Sequence, residues 1–93
     1  MPKNTPEQSR RYLLRAAYNM SEEDYEEWMH AQDGCCAICQ RPPEKNRRLA
    51  IDHDHKTGAV RGLLCTRCNV GLGQFGDKTK LLSRALDYLT GKL

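Results

Sequence analysis

Three features of the sequence predict a small α+β domain. Two segments near the N-terminal end carry helix caps and apolar faces, a pair of β-prone runs flanks a Lys56-Thr57-Gly58 turn, and two Cys-x2-Cys pairs bracket that hairpin. The chain has 93 residues, so one domain is expected over 1–93: a helical lead-in at 1–34, a pinned core at 35–77 and a C-terminal helix at 78–93. Hydrophobic content is 39%, with one Trp and one Phe. A chain this short and polar buries little of its surface and calls for a staple.

The elements follow in order. Thr5 suits an N-cap with Pro6 at the first helical position, and Leu13, Leu14, Ala17 and Tyr18 can share one face before Asn19 ends the helix. Ser21 caps the next helix, with Asp24 at the capping-box position and Met20 and Tyr25 at the two positions of a hydrophobic staple. Glu22, Glu23 and Asp24 suit the positive end of its dipole, while Tyr25, Trp28 and Met29 make its apolar stripe. Gly34 ends it and delivers the chain to the cysteines. "LAIDHDH" and "AVRGLL" are expected as paired strands around a turn in which Gly58 is free to take positive φ. A short helix is expected from Asn69, weakened by Gly71, Gly73 and Gly76. Asp77 is expected to cap the last helix, whose apolar stripe is Leu81, Leu82, Ala85, Leu86 and Leu89.

Charge is uneven. Residues 19–34 hold six acids and no Lys or Arg, whereas residues 36–68 hold seven Lys or Arg and three acids. The acidic run is accounted for by a helix start. The basic run suits an anionic polymer such as nucleic acid, although an ordinary solvated surface has the same composition. No stretch approaches the roughly 18 apolar residues of a membrane span, and "MPKNTPEQSRRYLL" lacks the apolar core of a signal peptide. The expected compartment is the cytoplasm, where thiols stay reduced and paired cysteines favour metal over disulfide.

Two sets of ligands crowd the middle of the chain. Cys36, Cys39, Cys65 and Cys68 form two identical pairs separated by 25 residues, and four thiolates so spaced suit a structural, tetrahedral Zn²⁺. The hairpin accounts for the long gap. Cys35 has the wrong spacing and is expected to be a spare thiol. A redox pair would not need a second matched pair. The other set is Asp52, His53, Asp54, His55 and Asn69. Oxygen and imidazole donors suit Mg²⁺ or Mn²⁺, so ligand softness separates a closed structural site from a candidate catalytic one. On a regular strand Leu49, Ile51, His53 and His55 share a face and Asp52 and Asp54 lie opposite. One site using both Asp52 and His53 therefore needs the strand to end or twist there. The plain alternative is a polar hairpin end.

The segment "CAICQRP…LAIDHDHKTGAVRGLLCTRCNVGLGQFGD" resembles the recombination endonuclease VII family, nucleases of the wider HNH, or His-Me finger, class. The resemblance covers Cys36 to about Asp77, and the preceding helix looks similar to that of family members. It implies a zinc-pinned ββα-metal core. Carried over by position, Asp52 and Asn69 would hold one divalent cation, His53 would be the general base, and His55 would contact or polarise the scissile phosphate. Arg61 would touch the DNA backbone or brace the hairpin. Lys45, Arg47, Arg48, Lys56 and Arg67 could contact phosphates as a patch, each of them alone being more often just solvated. The implied products carry 5′-phosphate and 3′-hydroxyl ends. Members that resolve branched DNA carry an acid three residues after the asparagine, where this chain has Leu72. Longer members form an intertwined dimer, for which this chain offers its N-terminal helices and residues 78–93. Four functions are thus in view: junction endonuclease, duplex-nicking endonuclease, zinc-held DNA-binding module without catalysis, and a protein-interaction zinc finger that would leave Asp52, His53 and Asn69 idle.

Overall fold

The computed structural model describes residues 5–93; the first four residues of the expected lead-in lie outside the described residues. Four helices and a two-stranded antiparallel sheet follow in the order α1 (Pro6–Tyr18), α2 (Glu22–Ala31), β1 (Ala50–His53), β2 (Val60–Leu64), α3 (Thr66–Gln74) and α4 (Thr79–Leu89). No helix among the described residues is long and apolar enough to cross a membrane.

The N-caps of the first two helices form as the sequence predicts. Thr5 and Gln8 close a capping box at the start of α1, and Asn19 ends that helix in the left-handed region at φ 51°. Ser21 and Asp24 close a second box on α2, each side chain accepting from the other's backbone N–H at 3.0 Å. These bonds hold the Asp24 carboxyl below the usual carboxylate range, the Ser21 N–H contributing most. Met20 and Tyr25 are both buried, as a hydrophobic staple requires. Gly34, at φ +71°, stops α2 by donating its N–H to the Met29 carbonyl at 2.7 Å.

Four expectations need correction. On α1, Leu14 is buried and Tyr18 half-buried, but Leu13 and Ala17 are exposed, because the helix lays a single i, i+4 strip on the core. The helix expected from Asn69 begins three residues earlier: Cys65 is its N-cap and Thr66 its first residue. Asp77 does not cap α4. Its N-cap is Lys78, which makes no side-chain capping bond. The α4 stripe is covered only in part, with Leu82 and Ala85 half-buried and Leu81, Leu86 and Leu89 exposed.

The core is Leu14, Met20, Tyr25, Cys36, Leu49, Leu63 and Leu64, flanked by Trp28, Met29, Ile51 and Leu72. Burial of each leucine side chain is worth about 1.5–3 kcal/mol. Two polar contacts fasten α2 to the hairpin. Tyr25 donates its hydroxyl to the Leu49 carbonyl at 2.7 Å. The Gln32 side-chain amide pairs with Leu63 as a strand would, accepting its N–H at 2.9 Å and donating to its carbonyl at 2.9 Å. It also reaches the Cys35 carbonyl at 2.8 Å. One side chain thus supplies the ladder partner that β2 lacks on that edge. Gly62 leaves room for it: a Cβ there would stand 3.2 Å from the Gln32 Oε1.

The sheet register runs Ala50–Leu64, Ile51–Leu63, Asp52–Gly62, then His53–Val60. Arg61 is the extra residue, and the pairing slips between Asp52 and His53. Such a bulge bends the strand and re-aims side chains on either side of it. This is the twist that a shared site for Asp52 and His53 demands.

Candidate functional site

The sulphur site is built from two loops that the hairpin folds together. After Gly34 the chain makes a knuckle: Cys36 takes the Arg41 carbonyl at 2.9 Å, and Gln40, at φ 61°, donates to the Cys36 carbonyl at 3.0 Å. The Ala37 N–H is held by the Leu63 carbonyl at 3.1 Å, so the knuckle is stitched to β2. On the other side β2 runs straight into Cys65, whose sulphur accepts the Cys68 N–H at 3.4 Å and so caps α3. The ligand atoms of Cys36, Cys39, Cys65 and Cys68 all lie within 4.8 Å of one another. The Cys39 and Cys65 sulphurs are 3.8 Å apart. A tetrahedron with Zn–S bonds of about 2.3 Å has an edge of about 3.8 Å, so the cluster fits zinc.

Electrostatics agrees. Burial alone would raise the Cys36 thiol, but N–H groups of Cys65, Cys39 and Ile38 outweigh it and bring it down to about 6. The Arg41 N–H, and then its guanidinium, lower Cys39. Cys68 is pushed up to about 12, by burial first and then by its three sulphur neighbours. Four thiols this close repel one another once ionised, and a dication among them offsets that repulsion. Cys35 stands outside the cluster, its sulphur on the Asp33 carbonyl at 3.4 Å.

The second set divides. Asp54 is spent on the turn: its Oδ1 accepts the N–H groups of Lys56 at 2.8 Å and Thr57 at 2.9 Å. Thr57 and then Lys56 hold its carboxyl below the ordinary range. Gly58 has φ +75° and completes that turn. Asp54 therefore does not join the other candidates, and a lone strand face would not have revealed this. His53 and His55 do come together, with ring centroids 5.2 Å apart, and Tyr18 of α1 lies 6.0 Å from the His53 ring. Asp52 is gripped by Arg61, Nε to Oδ2 at 2.7 Å and Nη2 to Oδ1 at 3.2 Å. This pair holds the Arg61 guanidinium above its ordinary value, the hydrogen bonds to Asp52 contributing most. Asp77 joins from the α3–α4 connection, its Oδ2 lying 2.9 Å from His55 Nε2 and 3.5 Å from Arg61 Nη2. Asn69 is exposed on the first turns of α3, one residue after Cys68. Among the described residues the cysteines are the one set of three or more His, Cys, Asp or Glu ligand atoms gathered within 4.8 Å.

A family model for recombination endonuclease VII matches residues 11–91. The chain belongs to the recombination endonuclease VII family. It is 52% identical over 77 residues to the Gene 59 protein of Mycobacterium phage D29, a match covering 82% of this chain and 47% of the relative. It is 48% identical over 77 residues to the Gene 59 protein of Mycobacterium phage L5, with the same coverage of 82% and 47%. The chain thus spans about half the length of the curated relatives it matches. No solved structure matches it.

Within this endonuclease VII domain the cysteine cluster and the polar cluster meet at one helix. α3 starts on Cys65, carries Cys68 and Asn69 side by side, and ends in the turn that presents Asp77. A cavity of about 200 Å³ lies beside the knuckle, lined among others by Arg41, Arg47, Arg48 and Arg67. Lys56 sits apart from it, on the hairpin turn. Sequence reasoning missed three participants. Arg41 had only its place after the knuckle to mark it, Gln32 looked like a helix end, and Asp77 looked like a cap.

Proposed function

We propose that this domain is the nuclease unit of a metal-dependent DNA endonuclease built on a His-Me finger core, with branched or junction DNA as its preferred substrate. The observation that carries this is the β-bulge at Asp52/His53, which lets those two residues work beside His55 in a chain of the endonuclease VII family. His53 takes a proton from the attacking water. A neutral imidazole suits that task near pH 7. His55 lies against the scissile phosphate. Asp52 and Asn69 are the hard oxygen donors that would hold Mg²⁺ or Mn²⁺, Arg61 yielding an oxygen of Asp52 for it. When bound, such a cation supplies charge stabilisation at the phosphate and the leaving 3′-oxygen. The products are then 5′-phosphate and 3′-hydroxyl ends.

Arg41, Arg47, Arg48 and Arg67 around the knuckle cavity support a path for flanking phosphates. The exposed Leu81, Leu86 and Leu89 of α4 support a homodimer, which paired incision across a junction requires. One observation favours a second function. Leu72 packs against the core where branched-DNA members have an acid, which suits a zinc-held DNA-binding module without catalysis. Without a dimer, nicking of duplex DNA takes the place of junction cleavage.

The test is cleavage of an end-labelled four-way junction and a matched duplex by zinc-loaded protein, with Mg²⁺ or Mn²⁺ and without. Metal-dependent cutting is expected, falling on the order of 10²–10⁴-fold in His53→Ala. The junction-to-duplex ratio and the sedimentation mass choose between resolvase and nickase. Protein that is folded, zinc-loaded and bound to both DNAs but cuts neither is a binding module.

A further inference from the structure

We infer that Asp77 is a positioning residue of the site: its carboxylate holds the His55 ring through Nε2 and gives Arg61 a second acidic partner beside Asp52. The inference rests on the nuclease function proposed above. The obvious local role for an Asp at this point is to cap α4, and Asp77 does not do that, since the N-cap is Lys78 and no side chain caps the helix. A side-chain cap stabilises a helix start, and this carboxylate forgoes it. It turns instead to His55 Nε2 at 2.9 Å and Arg61 Nη2 at 3.5 Å, with only 19% of its side chain exposed.

The backbone beneath it is fixed. Gly76 at φ +64° and Asp77 at φ +57° are successive left-handed residues. Gly76 donates to the Gly73 carbonyl at 2.9 Å and Asp77 to the Leu72 carbonyl at 3.0 Å, the paired bonds of a Schellman end to α3. The helix that carries Cys68 and Asn69 near its start therefore launches Asp77 from its end. α3 itself, from Thr66 to Gln74, contains no acid. Asp77 is thus the acid that this helix end brings to the cluster.

Two consequences follow from the geometry. A carboxylate on Nε2 makes that nitrogen the protonated one, leaves Nδ1 as the acceptor and sets the ring plane beside His53. Asp52 and Asp77 share one guanidinium, so the trio carries one net negative charge. Without Asp77 the Asp52–Arg61 pair is neutral.

The experiment uses Asp77→Gly and Asp77→Asn in the zinc-loaded chain. Both residues accept a left-handed φ, so the turn survives, and a purely structural Asp77 would be replaced by Gly without loss. The first readout is the ¹⁵N shifts of the His55 ring at a fixed pH of about 8, in a chain with three histidines to assign. Wild type is expected to show the Nε2–H form and Asp77→Gly a mixture of tautomers, with Asn intermediate. The second is single-turnover cleavage, expected to fall about 10–100-fold in kcat for Asp77→Gly with KM for DNA changed less than about 3-fold. Unchanged His55 shifts, or unchanged kcat, overturns the inference while a wild type that cuts leaves the nuclease proposal standing. A wild type that cuts nothing defeats the nuclease proposal, and the ring shifts alone then decide whether Asp77 holds His55.

Discussion

Replacing Cys68 by Ser is expected to leave the domain without a cooperative thermal transition and without stoichiometric zinc uptake. The reason is size. Seven residues make up the buried core, and two of them, Leu63 and Cys36, are fully enclosed. A native domain keeps only about 5–15 kcal/mol of stability, while zinc on four thiolates supplies an apparent 10–16 kcal/mol or so near pH 7. Losing the metal removes more than the rest of the fold can offer. Cys35→Ser is the control and is expected to be near neutral, because its sulphur lies outside the cluster. Circular dichroism with and without chelator checks both variants. The pH dependence has a definite sign. In the loaded fold the four sulphurs carry no protons, while the unfolded chain keeps its thiols protonated below about 8.5. The unfolded state therefore binds more protons, so stability rises with pH up to that range and is lost on acidification. Burial and its sulphur neighbours push the Cys68 thiol up, so its ionisation calls for a nearby dication.

Leu63→Ala is expected to cost about 2–5 kcal/mol even with zinc saturating. Its side chain is 0% exposed, at the point where α2, the first knuckle and β2 meet. The backbone of Leu63 is equally occupied, tied to Gln32 on both sides and to Ala37 through its carbonyl. The cavity therefore cannot close by a local backbone shift, which places the cost toward the upper part of that range. For a chain of this length the fall in Tm is on the order of 10–30 °C. Leu63→Met, which conserves volume, is expected to lose less than about 1.5 kcal/mol. Scanning calorimetry of the two variants at one zinc concentration separates packing from metal binding.

What was legible in the sequence was local. Thr5, Ser21 and Asp24 act on amides three residues away, so their caps could be foreseen from spacing alone. The same holds for the turn at Lys56-Thr57-Gly58 and for two Cys-x2-Cys pairs, whereas the part Asp54 plays in that turn was not foreseen. What escaped was decided by neighbours distant in the chain. Gln32 meets Leu63 across 31 positions, and nothing in a helix-end glutamine announces that it will imitate a strand. Asp77 reaches His55 and Arg61 instead of its own helix because α3 ends in a left-handed turn, which the glycines hinted at without fixing its direction. The expectation of a shared site for Asp52 and His53 asked for the strand to end or twist there, but the bulge itself, with Arg61 as the surplus residue, came only from the register.

The placement of the two knuckles has a consequence for chain continuity. Cys39 and Cys65 are 26 positions apart, and the stretch over 44–48 between them is irregular and exposed, with Lys45, Arg47 and Arg48 in it. Exposed polar loops of this kind are where proteases nick folded chains. A cut after Arg47 leaves one fragment with Cys36 and Cys39 and another with Cys65 and Cys68. A shared metal would span the break, together with the Gln32–Leu63 bonds that already cross it. With metal bound, the peptide link between the halves is expected to be dispensable for holding them together, so that chelator, and not the nick, separates the fragments in size-exclusion chromatography.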